Sequence, residues 1–401
     1  MRLVTSCLVA ALVSAAPAFA GTIIYATAAS QSRIDGFCVG NDGTLAPTPK
    51  VQIGTGGQLP RRLVAGPNGV LYVAEADRVE AFRIGQRGGL EPFGSTNVVT
   101  GPNMNPLDVA LSPDARLLYV PQNGQARIVA YPLDADGRLQ SDFTSCIQGP
   151  GGAGYQRLLV RDGLLYVTAE VLGGRVSVFP LGADGSLSAP PDQCRLGNVN
   201  VDRSPVTCPL SERRHLLLPA ALIIDGDVMY VESRARRQIV TFRLTNGLFD
   251  PPHRNKTGEF VSVCLKDDAG KDLTGNFKYQ KALNKSAVLN QYQDIVLDGT
   301  TILGSQFTHG RVDAYHVRPD GRISKHPRRR TKEDVRGSPV GLASTPSAVY
   351  VAAGEFDRVQ AFRVRRSDGM LAEETPFSQT NEQTGSFPNA LAVATIPLSC
   401  F

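Results

Sequence analysis

One phrase recurs seven times in this chain, and repetition of that length limits the fold more than any other feature. An apolar strand centres on an aromatic-Val pair. A gap follows, then a second alternating strand, then a tight turn. The strands are Ile24-Tyr25-Ala26, Leu71-Tyr72-Val73, Leu118-Tyr119-Val120, Leu165-Tyr166-Val167, Met229-Tyr230-Val231, Ile302-Leu303-Gly304 and Val349-Tyr350-Val351. Steps of 47 residues lead from Tyr25 to Tyr72, Tyr119 and Tyr166; the next are 64 to Tyr230, 73 to Leu303 and 47 to Tyr350. A period of about 40–50 residues holding several short strands is that of a propeller blade.

The strand after each gap repeats as well: Arg78-Val79-Glu80-Ala81-Phe82, Arg127-Ile128-Val129-Ala130-Tyr131, Arg311-Val312-Asp313-Ala314-Tyr315 and Arg358-Val359-Gln360-Ala361-Phe362 are four of its copies. Its apolar residues alternate with the period of a strand, not of a helix. Asp42-Gly43, Asp136-Gly137, Asp184-Gly185, Asn246-Gly247, Asp320-Gly321 and Asp368-Gly369 supply the positive φ of tight hairpin turns leading to an outer strand. The first repeat lacks an inner strand, and the last segment, Phe387 to Val393, has one with no blade after it. The expectation is an all-β, seven-bladed β-propeller of four-stranded blades, its ring closed by the C-terminal strand joining the N-terminal blade. Such closure removes exposed sheet edges.

Residues 1–20 combine Arg2, an apolar core from Leu8 to Ala15 and the ending Pro17-Ala18-Phe19-Ala20. This is the pattern of a secretory signal peptide, with an apolar core too short to span a bilayer. The remainder, 21–401, reads as one propeller with insertions at about 190–216, between the fourth and fifth blades, and about 250–292, between the fifth and sixth. Removal of the leader takes Cys7 with it and leaves six cysteines, an even number in an exported chain, which points to disulfides. Cys194 with Cys208, flanking an insertion, and Cys38 with Cys400, at the two ends of the closing blade, are the pairs the sequence suggests. The expected location is periplasmic or secreted, with no membrane span, no nucleic-acid partner and a monomeric state. A formal charge of +5 is ordinary at this size. The basic run from Lys325 to Lys332 reads as a solvated outer edge, with an anionic surface as the sharper alternative. Asn255-Lys256-Thr257 and Asn284-Lys285-Ser286 fit the glycosylation sequon.

In a propeller, the inner-strand starts and the loops joining second and third strands open on one rim. Charged and polar residues at those places are Asn105, Asp108, Gln122, Arg157, Glu170, Glu232, Arg234, Arg236, His309, Glu355 and Asp357. Carboxylates and guanidiniums gathered at a cleft are candidates for function, although any propeller channel is polar. No CxxC or His-Cys cluster suggests a metal, and no cofactor is expected. A Glu/Asn/Asp cage drawn from Asp108, Glu355 and Asp357 is the weakest alternative.

The Leu-Tyr-Val, Val-x-x-Phe and Asp-Gly-x-Leu phrases resemble the bacterial lactonase family of seven-bladed propellers, which includes propeller-type 6-phosphogluconolactonase and is similar to carboxy-muconate lactonizing enzyme. The resemblance covers residues 22 to 395. It implies that Arg157, in Tyr155-Gln156-Arg157, Glu170, after Tyr166-Val167, and Arg234, after Tyr230-Val231, belong to a lactone-hydrolysing site. Asn105-Pro106-Leu107 stands where the family carries His-Pro-His, and Gln122 where it often has Asp. The catalytic imidazole is thus missing, and His309 is the candidate replacement. Glu170 would be general base, Arg157 and Arg234 would hold a carboxylate or oxyanion, and Asn105, Asp108, Gln122 and Glu232 would line the substrate site. The substrate implied is a small carbohydrate or aromatic-derived lactone. The rival reading is a non-catalytic binding propeller that engages an unknown protein partner.

Overall fold

The structure, a computed structural model, describes residues 20–96, 106–123, 127–148, 154–169, 175–187, 218–234, 237–249, 284–285, 292–307, 310–331, 339–365, 370–381 and 386–400. Seven antiparallel sheets succeed one another as the blades of a β-propeller. Blade 1 is the closing blade. Its inner strand, Leu391–Ile396, pairs with Gly21–Ala28, which pairs with Arg33–Val39, and Val51–Gly54 lies outside. Blade 2 runs through Arg62–Ala65, Val70–Ala74, Val79–Ile84 and Leu90–Ser95. Blade 3 uses Ala110–Leu111, Leu117–Gln122, Arg127–Pro132 and Ser145–Gln148. Blade 6 uses Tyr292–Asp298, Thr301–Gln306, Arg311–His316 and Arg329–Arg330, and blade 7 Pro339–Ser344, Ala348–Ala353, Arg358–Arg363 and Ser378–Gln379.

Blades 4 and 5 carry the irregularities. Among the described residues blade 4 shows three strands, Tyr155–Arg161, Leu164–Ala169 and Arg175–Pro180. In blade 5, Pro219–Asp225, Val228–Ser233 and Gln238–Thr245 are followed by an outer strand in two pieces, Leu248–Phe249 and Asn284–Lys285. Val240 pairs with Lys285 and Thr241 with Asn284. The second long insertion therefore begins inside blade 5, before its outer strand is complete, and not between blades 5 and 6 as the spacing suggested. The leader, the first insertion and the Asp368-Gly369 turn lie outside the described residues.

The repeated phrases owe their form to one contact. Each second-strand tyrosine is buried, and its hydroxyl donates to the carbonyl of the turn glycine in the next blade. Tyr25 reaches Gly88, Tyr72 Gly137, Tyr119 Gly185, Tyr166 Gly247, Tyr230 Gly321 and Tyr350 Gly43, at 2.6 to 3.1 Å. Those carbonyls are presented by glycines with φ between 75° and 86°, a conformation that costs glycine nothing. Small residues face most of the tyrosines across the hairpin: Gly36 opposite Tyr25, Ala81 opposite Tyr72, Ala130 opposite Tyr119 and Ala361 opposite Tyr350. A β-carbon on Gly36 would stand 3.0 Å from the Tyr25 ring. Blade 6 has Leu303 in the tyrosine position, and it packs into an apolar cluster with Met370 and Leu371 of blade 7.

The core is accordingly a set of seams. Val70 and Tyr72 of blade 2 pack with Leu118 and Val129 of blade 3, and Ile24 and Phe37 of blade 1 with Tyr350 and Ala361 of blade 7. At the closing blade the ring is joined covalently: Cys38 and Cys400 form a disulfide, as the sequence suggested. Cys146 is also disulfide-bonded.

Two expectations follow. Tyr72→Phe, which leaves the Gly137 carbonyl buried without its donor, lowers unfolding free energy by about 1–2 kcal/mol in urea titrations. Cys400→Ser removes the clasp alone and lowers stability by roughly 2–4 kcal/mol under oxidising conditions; a dithiol reductant then destabilises the variant less than the parent.

Candidate functional site

With the strand register known, one column of residues around the channel stands out. Two positions before the residue that faces each blade's tyrosine (or Leu303) lie Ala390, Arg62, Asp108, Arg157, Ala221, Asp294 and Gly341, in blade order. Four of the seven are charged, and all four meet. Arg62 Nε lies 3.5 Å from Asp108 and its Nη1 3.3 Å from Asp294. Arg157 Nη2 donates to Asp294 Oδ1 at 2.5 Å, and its Nη1 lies 3.9 Å from Asp108. The alanines and Gly341 occupy the remaining places without side chains long enough to block this crossing.

Local geometry aims these groups. The inner strands of blades 4 to 7 all carry register shifts near their starts, those of blades 4 and 6 at Tyr155/Arg157 and Tyr292/Asp294. A bulge bends the strand and re-aims the side chain beside it, which places Arg157 and Asp294 over the channel. The two aspartates also tie neighbouring inner strands together. Asp108 Oδ2 accepts the Leu158 amide at 2.7 Å, and Asp294 Oδ2 the Leu342 amide at 3.1 Å. Both are buried, and burial raises both carboxyls, Asp108 to about 7, against the pull of Arg62 and the backbone amides. They form a floor; they are not wall residues open to a ligand.

Above the floor is a cavity of about 370 Å³. Arg61, Arg62, Arg157 and Arg234 line it, with Leu59, Leu107 and Phe387 among its apolar residues and Ser30, Gln156 and Asn389 among its polar ones. Arg234 stands in a turn closed by the Arg237 amide on its carbonyl at 3.1 Å, and its own amide donates to Leu218 at 3.1 Å. Among the described residues, four guanidiniums stand over two buried carboxylates, a balance that suits an anion.

Of the residues expected from sequence, Arg157 and Arg234 are brought together in this cavity, and Asp108 lies beneath it. Gln122 is buried with its carbonyl oxygen accepting from Arg127 Nε, and Glu232 is fully buried on the second strand of blade 5. Neither lines the cavity. Asn105, Glu170 and His309 lie outside the described residues, as does Arg236. Asp357 accepts the Phe387 amide at 2.7 Å. Among the described residues no group of three or more His, Cys, Asp or Glu side chains could hold a metal ion, and no helix is long and apolar enough to cross a membrane.

The sequence reading missed Arg61, Arg62 and Asp294. Arg62-Leu63 opens the inner strand of blade 2 as Arg157-Leu158 opens that of blade 4, and this was the available signal. Arg61 and Arg62 arrive on a segment held by blade 2's own acidic turn. Gly56 donates to Glu80, Gln58 to Asp77, Ala76 to the Gln58 carbonyl and Arg61 to the Ala74 carbonyl. Beneath it Glu75 is fully buried, and a β-carbon on Gly57 would collide with its carboxyl. The neighbouring Thr55 hydroxyl donates to the Ser32 carbonyl at 3.1 Å. Burial first, then the nearby Glu80 and Asp77, raise the Glu75 carboxyl to about 8, with Thr55 and Arg78 opposing.

No family model matches the chain. Over 126 residues, 31% of its length, it is 29% identical to the 6-phosphogluconolactonase of Pectobacterium carotovorum subsp. carotovorum, of which the match spans 36%. The 6-phosphogluconolactonase of Pectobacterium atrosepticum is 27% identical over 148 residues, 42% of its length. The chain thus matches well under half the length of these curated relatives. Similar solved structures extend over nearly the whole chain. A candidate 6-phosphogluconolactonase of Bacteroides fragilis matches 94% of this chain and 98% of its own, with 15% identity and a TM-score of 0.65. The periplasmic gluconolactonase of Pseudomonas aeruginosa matches 94% and 100%, with 15% identity and a TM-score of 0.62. The chain resembles the lactonase propellers and has their fold. At such identities the structural likeness speaks for fold alone.

The Glu75 arrangement has a pH signature. Its folded value exceeds its unfolded one, so the stabilisation is complete below about 4.5 and is lost as pH rises to about 8. Glu75→Gln, which cannot ionise, removes that slope. Urea titrations across this range give a variant that gains on the parent by about 1–3 kcal/mol at the alkaline end and little at the acid end. Parallel profiles would show that Glu75 does not carry it.

Proposed function

We propose that this protein is an exported lactonase-type propeller that opens a small anionic lactone at the channel mouth. The observation that carries the reading is the convergence of Arg157 and Arg234, from blades 4 and 5, with Arg61 and Arg62 on one cavity. Lactone hydrolysis needs a water made nucleophilic and a site for the charge that develops on the carbonyl oxygen. Guanidiniums braced by Asp294 and Asp108 supply the second without reorganising. Arg234, reaching the cavity from blade 5, is assigned the substrate's own anion. Glu170, next in sequence after Ala169 at the end of a blade 4 strand, is assigned the base, and His309, two residues after Phe307 in sequence, the proton to the leaving alcohol. The leader pattern of residues 1–20 suggests the periplasm or the exterior.

One observation favours a second reading. The Arg157 guanidinium is already paired with Asp294 at 2.5 Å, which suits a binding platform that never turns over its ligand. Acid release from a panel of sugar and aromatic-derived lactones separates the two. The lactonase reading expects release that falls about a hundredfold or more in Glu170→Gln and about tenfold or more in Arg234→Ala. No release above buffer across the panel, with anion binding intact, would leave the binding propeller.

A further inference from the structure

The cavity at the channel mouth has two unlike walls. The guanidiniums come from blades 2, 4 and 5, whereas Leu59 and Phe387 come from the inner-strand entrances of the adjacent blades 2 and 1. Among the described residues four large apolar side chains are exposed, and two of them are these, Leu59 at 46% and Phe387 at 37%. A third, Phe307, stands on the same rim in the turn after the second strand of blade 6. Exposed apolar groups gathered at a cleft mark a binding surface more than scattered ones do.

Both side chains are held there against backbone preference. Leu59 has φ +50° and Phe387 φ +44°, each immediately before a proline, and Leu218 before Pro219 at the matching entrance of blade 5 has φ +52°. L-residues rarely adopt that region, and glycine would fill either position without strain. Strain of this kind persists only where surrounding bonds enforce it, and its recurrence in three blades makes it a property of the inner-strand entrance, which fixes the direction of the side chain there. The bonds are present. The Phe387 amide donates to Asp357, and its ring lies against Gly354, where a β-carbon would come within 3.2 Å of it. Leu59 is bracketed by the Ala76–Gln58 and Arg61–Ala74 backbone bonds, both at 2.7 Å.

From this we infer that Phe387 and Leu59 form a fixed apolar subsite, and that the ligand class is an amphiphilic anion: a carboxylate carried on an aromatic or aliphatic body, its charge on the arginines and its apolar face on Phe387. A polyhydroxylated anion of the same charge lacks the surface that this wall would bury. The inference rests on the reading of this cavity as the substrate site and narrows it. Lactones of this class would place the ring against Phe387 and the carbonyl toward the arginine side.

Calorimetric titration of the mature protein with 3-phenylpropionate and with gluconate, two monocarboxylates of equal charge, tests it. Phenylpropionate is expected to bind at least about tenfold tighter. Phe387→Ala loses that preference while sulfate binding stays within about twofold of the parent. Phe387→Gly guards against a folding artefact: it relieves the left-handed strain, so its melting temperature equals or exceeds that of the alanine variant while the preference is still lost. Equal affinities, or tighter gluconate binding, would overturn the apolar subsite and leave the lactonase reading standing. A parent that binds neither probe nor sulfate would remove the anion site itself, and both readings with it.

Discussion

The hydroxyl-to-carbonyl bond between each blade's tyrosine and its neighbour's turn glycine is the contact on which the ring depends. A propeller blade is amphipathic on two faces and is not stable alone; it needs a neighbour on each side. Apolar packing between blades supplies attraction but little direction. The tyrosine bond adds direction, because a buried phenol must find an acceptor and the turn offers one at a single place. Each bond contributes only about 1 kcal/mol, but six of them set the angle of six seams. The seam between blades 6 and 7 uses Leu303 and is held by packing with Met370 and Leu371. Ring closure draws on three contacts: the Tyr350–Gly43 bond across the seam between blades 7 and 1, and, within blade 1, the pairing of Leu391–Ile396 with Gly21–Ala28 and the Cys38–Cys400 disulfide.

Ring geometry then makes an unusual ion-pair network possible. Buried charges are costly unless they are paired and hydrogen-bonded. Arg62 and Arg157 come from blades 2 and 4, and the carboxylate they share, Asp294, comes from blade 6. The aspartates offset their desolvation partly through the guanidiniums and partly through the Leu158 and Leu342 amides of the next blades. The same carboxylates thus join adjacent inner strands and hold arginines across the channel. Removing either aspartate would loosen the ring and release a guanidinium together, so stability and site geometry are coupled at these two positions. Within the closing blade, Thr27 ties the second strand to the entrance of the inner strand, accepting the Ala390 amide at 3.1 Å while donating to Asn389.

Much of this was legible in the sequence, and the remainder was hidden for a definite reason. The Tyr-Val and Asx-Gly phrases were both visible, and with them the blade count and the closing strand. That the two phrases bond to each other was not, because the partners lie some 60 to 90 residues apart in most cases, in different blades. The charged column was obscured by hairpin length. Arg62 lies 10 residues before Tyr72, Asp108 11 before Tyr119, Arg157 9 before Tyr166 and Asp294 9 before Leu303. Aligned on the tyrosines alone, the column smears over three positions and reads as ordinary polar scatter. Arg157 and Arg234 were found from their places on the rim of the repeat, and the family resemblance pointed to the same two. Leu59 and Phe387 were missed because an apolar residue before proline looks like core until its backbone conformation and exposure are known.

Site and scaffold in this protein are distinguished by which positions obey the repeat. Positions that repeat, the tyrosines, their small cross-strand partners and the turn glycines, all serve the seams. Positions that differ from blade to blade face the channel: Arg, Asp, Arg and Asp in four blades, Ala or Gly in three. An exact sevenfold ring would put seven like charges, or seven alanines, at this level, and neither could bind an asymmetric small molecule. The mouth gains polarity only because blades 2, 4 and 5 supply guanidiniums while blades 1 and 2 turn Phe387 and Leu59 outward. The left-handed backbone at those two residues recurs at Leu218 of blade 5 and so belongs to the scaffold; what differs from blade to blade is the side chain it turns outward.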